Sequence, residues 1–72
     1  MADNWSLEAH IAEIPASGKY HIEVNRISWY GRPVRIDIRR WNKDRSECRT
    51  GVTMTDEELV ELYEAIGRYL ND

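Results

Sequence analysis

The sequence predicts an α+β fold, in which a curved four-stranded antiparallel sheet is followed by one C-terminal helix (ββββα). Three observations carry this. Apolar and polar residues alternate with period two in residues 19–24 and again in 34–41. A turn signal, Tyr30-Gly31-Arg32-Pro33, separates the two runs. Beyond Met54, a capping signature opens an apolar pattern with i, i+3, i+4, i+7 spacing, which is helical. With 72 residues the chain is expected to be one domain, 1–72, whose residues 1–6 fray.

Residues 7–14 suit two readings. Leu7, Ile11 and Ile14 have helical spacing, whereas Ala9, Ile11 and the approach to Pro15 suit a strand. We read a strand, because Pro15-Ala16-Ser17-Gly18 makes a turn into the next one. In residues 19–30, Tyr20, Ile22 and Val24 alternate with Lys19, His21 and Glu23, but the next apolar pair, Ile27 and Trp29, has the other parity. A β-bulge at Asn25-Arg26 would restore the phase. Without one, Ile27 and Trp29 face away from Ile22 and Val24. Residues 34–41 place Val34, Ile36 and Ile38 on one face and Arg35, Asp37, Arg39 and Trp41 on the other. Residues 42–47 are a polar loop, and 49–54 a short strand with Val52 and Met54 on one face. Thr55 is the N-cap and Glu58 the N3 residue of a capping box, and Asp56, Glu57 and Glu58 suit the positive end of the helix dipole. The helix covers about 56–70, with Leu59, Leu62, Tyr63, Ile66, Tyr69 and Leu70 on its apolar side.

A domain this short builds a small core and is usually reinforced by disulfides, a metal or a partner subunit. Cys48 is the one cysteine, so no internal disulfide forms. His10 and His21 lie far from Cys48 in sequence, lack zinc-site spacing and are read as surface or strand residues, so no metal is expected. Oligomerisation remains. One helix covers part of one sheet face, and Val60 and Ala65 widen its apolar surface beyond a single stripe. A two-fold dimer packed through Leu59, Leu62, Tyr63, Ile66 and Tyr69 would bury this excess. No apolar run approaches the ~20 residues of a membrane span, so no membrane partner is expected. A free cysteine with no signal peptide points to the cytoplasm.

Enzyme signatures are absent: there is no glycine-rich phosphate loop, G-x-S-x-G, H-E-x-x-H or C-x-x-C. No catalytic residue and no cofactor are expected. The net charge of −3 argues at first against a nucleic-acid partner, but it is unevenly spread. Residues 19–54 carry a net +5, while 1–18 carry −3 and 55–72 carry −5. Within the basic stretch, Trp29, Tyr30 and Trp41 interleave with Arg26, Arg32, Arg35, Arg39, Arg40, Lys43 and Arg49. Single-stranded nucleic acid is bound by this combination, since aromatic faces stack on unpaired bases and cations follow the phosphates. The competing reading is a solvated charged face with the tryptophans in the core. Trp29 fits either, and Trp41 is read as stacking because it shares parity with Arg35 and Arg39. Trp5 lies in the segment expected to fray and carries no signal.

The run Trp29-Tyr30-Gly31-Arg32, then Asp37-Ile38-Arg39 with Trp41, then Thr50-Gly51-Val52-Thr53-Met54-Thr55 leading into an acidic helix, has a recognisable order. It resembles the small bacterial branch of the Positive Cofactor Four (transcriptional coactivator) family, over about residues 18–70. The resemblance implies a homodimer joined through its helices, and concave sheet channels that bind single-stranded DNA with little sequence preference. It maps base stacking to Trp29 and Trp41, and phosphate contacts to Arg32, Arg35 and Arg39, with Arg26 and Lys43 beside them; Tyr30 and Arg49, next to these residues, are further candidate nucleic-acid-binding positions. Where the family often has Lys before the glycine of the fourth strand, this chain has Thr50, with Arg49 one position earlier. The expected function is therefore non-sequence-specific single-stranded DNA binding by a cytoplasmic, nucleoid-associated dimer. Single-stranded RNA binding and a protein–protein interaction module are the alternatives.

Overall fold

A computed structural model describes residues 4–71. Four strands, β1 (Trp5–Ile14), β2 (His21–Trp29), β3 (Arg35–Trp41) and β4 (Val52–Met54), precede one helix, α1 (Asp56–Asn71). The strands form one antiparallel sheet in the order β1-β2-β3-β4, so each connection is between neighbours. The ββββα fold is as expected, and residues 7–14 are strand. Of the segment expected to fray, residues 1–3 lie outside the described part. Trp5 and Ser6 are already paired with Trp29 and Ser28, and Asn4 accepts a hydrogen bond from the Tyr30 amide at 2.7 Å.

The bulge is in a different strand from the expected one. β2 and β3 pair without interruption from His21↔Trp41 to Ile27↔Arg35, so nothing slips at Asn25-Arg26. The irregularities are in β1, between Leu7 and Ala9 and between His10 and Ala12, where Glu8 and Ile11 are the extra residues. Directly paired residues share a sheet face. One face therefore carries Trp5, His10, Glu13, His21, Glu23, Asn25, Ile27, Trp29, Asp37, Arg39 and Trp41. The other carries Ile14, Ile22, Val24, Arg26, Ile36, Ile38, Val52 and Met54.

The polar and aromatic face holds most of the deeply buried side chains. Trp41 and Ile27 are fully enclosed, and Glu23, Asn25 and Asp37 are buried beside them. On the opposite face Ile36 is buried, but Ile22, Val24 and Ile38 are half-buried and Val52 is exposed. The helix leaves this apolar face partly open. None of its residues is buried, and Val60, Leu62, Tyr63, Ile66, Tyr69 and Leu70 are exposed. Its start is well fixed, as the capping box forms in both directions: the Thr55 amide donates to Glu58 Oε1 at 2.8 Å, and the Glu58 amide to Thr55 Oγ1 at 3.1 Å. Arg26 Nη1 also donates to Asp56 Oδ1 at 2.8 Å, tying β2 to the first helical residue. Gly51 lets β4 approach β3 closely, as its Cα faces the Arg39 Cα and Cβ and the Ile38 carbonyl with no room for a side chain.

Candidate nucleic-acid interface

The β2–β3 connection, residues 30–34, opens on a tight turn. Tyr30 and Gly31 both have positive φ, at 54° and 72°, and the Arg32 amide donates to the Trp29 carbonyl at 2.9 Å. These are the marks of a type I′ hairpin turn, whose twist matches that of the flanking strands. Glycine adopts this backbone readily, whereas tyrosine does so at a cost. The strained tyrosine is 64% exposed and holds its ring out at the tip of the hairpin.

Beside this tip lies an open groove of about 800 Å³, lined by Trp29, Tyr30, Arg32, Arg35, Arg39, Tyr20 and Arg49. Its floor is aromatic. Trp29 and Trp41 lie nearly parallel, with ring centres 6.2 Å apart and planes 7° apart. Trp5 packs against both, at 4.9 Å from Trp41 and 6.3 Å from Trp29. The Arg32 guanidinium sits 5.8 Å from the Tyr30 ring centre, and Arg49 sits 4.7 Å from that of Tyr20. Tyr20 is in turn held by its hydroxyl, which donates to Glu47 Oε1 at 2.9 Å.

Asp37 organises the centre of this face. Its buried carboxylate accepts a hydrogen bond from Trp29 Nε1 at 2.9 Å and from Arg39 through Nε at 2.8 Å and Nη2 at 2.7 Å. The Arg39 guanidinium in turn lies 4.6 Å from the Trp29 ring centre. The Trp29 ring is therefore fixed at its edge by Asp37, on one face by Arg39, and from the cluster side by Trp41.

The expected site residues are sorted by this geometry. Trp29, Tyr30, Arg32, Arg35 and Arg49 come together around the groove. Trp41 also borders it, but at 0% exposure it offers no ring face to a base in this conformation. The expectation that Trp41 stacks gives way to a role beneath Trp29, because three indoles packed together enclose the central one. Arg39 is occupied by Asp37, so its charge serves the scaffold before any ligand. Arg26 pairs with Ile36 on the opposite face, where it bonds Glu8 Oε1 and Asp56 Oδ1. Its parity would have changed only if β2 carried the bulge. Lys43 is exposed in the 42–47 loop and does not line the groove.

Two contributors had no clear signal in the sequence. Tyr20 precedes β2, so the alternation of Ile22 and Val24 does not govern it, and it faces the groove. Trp5 joins the aromatic cluster through the Trp5↔Trp29 pairing. The only hint of this was that a tryptophan seldom serves as a solvated tail residue. The indole nitrogens of Trp5 and Trp41 are both buried and meet no acceptor among the described residues. Such orphaned donors carry a desolvation cost of about 1–3 kcal/mol each.

Farther along the same face, Glu23 is 2% exposed. Its carboxylate accepts from Asn25 Nδ2 at 2.9 Å and Arg45 Nε at 2.9 Å and lies 2.6 Å from His21 Nε2. Burial alone would raise its pKa. The hydrogen bonds from Asn25, His21 and Arg45, with the charge of Arg45, outweigh burial and hold it below the ordinary carboxylate value.

No protein-family model matches the chain. An uncharacterized protein of Treponema pallidum (strain Nichols) is 46% identical over 43 residues, a stretch covering 60% of this chain. The chain spans about half the length of that relative, 51%. No helix among the described residues is long and apolar enough to cross a membrane.

Proposed function

We propose that the protein is a non-enzymatic, dimeric binder of single-stranded nucleic acid, DNA in the first instance, with little sequence preference, acting in the cytoplasm. The observation that carries this reading is the Trp29–Tyr30 aromatic edge at the mouth of a groove flanked by Arg32, Arg35 and Arg49. An unpaired base stacks on the exposed Tyr30 ring, for about 1–3 kcal/mol, with half-buried Trp29 as the wall beside it, while the three arginines meet phosphates. Stacking needs no base-edge hydrogen bonds, so the preference for one sequence over another is small. The acidic residues of α1 lie away from the groove, which keeps the repulsion of phosphate off the binding face.

Tryptophan fluorescence should be quenched on titration with oligo-dT, and the affinity should fall with salt. With about four phosphate contacts, log K against log salt has a slope near −3, at about 0.7 per contact. Tyr30→Gly separates binding from folding: it removes the ring, relieves the positive-φ strain, and should weaken binding about 5-fold or more while leaving the thermal midpoint unchanged or higher. Unquenched tryptophans at low salt would end the proposal. Competition by oligo-U and by duplex DNA at two salt concentrations distinguishes DNA from RNA and single strands from double.

Self-association through α1 is supported by its exposed Leu62, Tyr63, Ile66 and Tyr69, by half-buried Leu59, and by the half-open sheet face beside it. Sedimentation at micromolar concentration should give twice the chain mass, and Ile66→Glu should give the monomer mass. A monomeric wild-type protein would remove the dimer from the proposal.

A further inference from the structure

The second bulge in β1 has a chemical result. His10 and Glu13 are three residues apart and would face opposite sides of a regular strand. The extra residue Ile11 reverses the phase, so both come to the polar face, opposite Asn25 and Glu23. There they meet His21 and Glu23 of β2. Ligand atoms of Glu13, His21 and Glu23 all lie within 4.8 Å of one another. His21 Nε2 is 2.6 Å from Glu23 Oε2 and 3.9 Å from Glu13 Oε1, and His10 Nε2 is 3.8 Å from Glu13 Oε1.

The surrounding hydrogen bonds fix which atoms are free. A carboxylate only accepts, so Asn25 directs Nδ2 to Glu23 and leaves Oδ1 toward His10. That oxygen, 2.5 Å from His10 Nδ1, makes Nδ1 the donor. The lone pair of neutral His10 is then on Nε2, which faces Glu13 at a distance too long for a hydrogen bond. Arg45 balances one of the two carboxylate charges, which leaves the group net negative.

We propose that Glu13, His21 Nε2 and Glu23 Oε2 form a three-ligand binding site for a divalent first-row transition ion of the zinc class, with His10 at its rim. One imidazole and two carboxylates, with a water in the fourth position, suit tetrahedral Zn²⁺, whose bonds of about 2.0–2.2 Å set ligand atoms roughly 3.3 Å apart. The separations of His21 Nε2 from Glu23 Oε2 and Glu13 Oε1, 2.6 and 3.9 Å, bracket that value, and a metal takes the place of the proton shared by His21 and Glu23. The ion fastens the bulged edge strand to the sheet, in a chain whose single cysteine provides no disulfide.

Calorimetric titration with Zn²⁺ should give one ion per chain, and Co²⁺ should give the intense visible absorption of a tetrahedral site. The thermal midpoint should rise with Zn²⁺ and return with EDTA. Glu13→Gln alters an exposed position, so it should keep the metal-free midpoint while weakening Zn²⁺ at least about 10-fold. Cys48→Ser should change nothing. Absence of stoichiometric Zn²⁺ binding by the wild-type chain, or undiminished binding in Glu13→Gln, would overturn the assignment.

Discussion

Gly51→Ala is expected to destabilise the protein by about 3 kcal/mol or more, at or above the upper end of ordinary overpacking. The new methyl group would meet the Arg39 Cβ and sit 2.5 Å from the Ile38 carbonyl oxygen and 3.0 Å from the Arg39 Cα. These obstacles are backbone atoms of a central strand and a Cβ fixed directly to it, so no rotamer change moves them away. Relief requires β4 to part from β3, breaking the Ile38↔Val52, Asp37↔Thr53 and Ile36↔Met54 pairings. Thr55 and α1 follow β4 directly, so the helix start would be displaced as well. Urea unfolding followed by circular dichroism measures the effect. A midpoint equal to that of the wild type would show that β4 does not need its close approach.

The second large effect is expected at Asp37. Asp37→Ala leaves the Arg39 guanidinium, 14% exposed, without its carboxylate, and leaves Trp29 Nε1 without an acceptor. Removing one member of a buried ion pair typically costs about 3–5 kcal/mol, because the remaining charge stays desolvated. Asp37→Asn keeps an acceptor for Trp29 but loses the charge, so its cost should be intermediate. The double variant Asp37→Ala with Arg39→Ala should be more stable than Asp37→Ala alone, since no stranded cation remains. Equal stability of the single and double variants would show that the pair does not act as a unit. Trp29 is also released from its fixed edge in Asp37→Ala, so oligo-dT affinity should drop further than the fraction of folded protein does.

The elements themselves were legible in the sequence because each had a local cause. Alternation marked β3, the Tyr30-Gly31 turn marked the hairpin, and Thr55 with Glu58 marked the helix start. The location of the bulges was not legible. The change of parity between Val24 and Ile27 is genuine, but β2 stays regular and presents both faces, one apolar and one polar. The extra residues sit in β1, where the ambiguous spacing of Leu7, Ile11 and Ile14 is what a strand with two inserted residues produces. That displacement accounts for the rest. It sent Arg26 to the apolar face, and it brought His10 and Glu13 beside His21 and Glu23, a grouping that no spacing rule for a regular strand contains. Trp41 shares its face with Arg39, as parity required. Its enclosure depended on Trp5, a residue thirty-six positions earlier, and parity alone does not report depth.

The bulges also bear on how the protein behaves at high concentration. β1 is an edge strand of 10 residues, long enough to recruit another chain through its unpaired backbone groups. Glu8 and Ile11 interrupt the spacing of those groups, so a second straight strand cannot match donors to acceptors along the whole edge. The opposite edge, β4, is only 3 residues long. Both borders of the sheet thus resist end-to-end growth into fibrils, and deletion of Glu8 and Ile11 together would straighten β1 into a template for it.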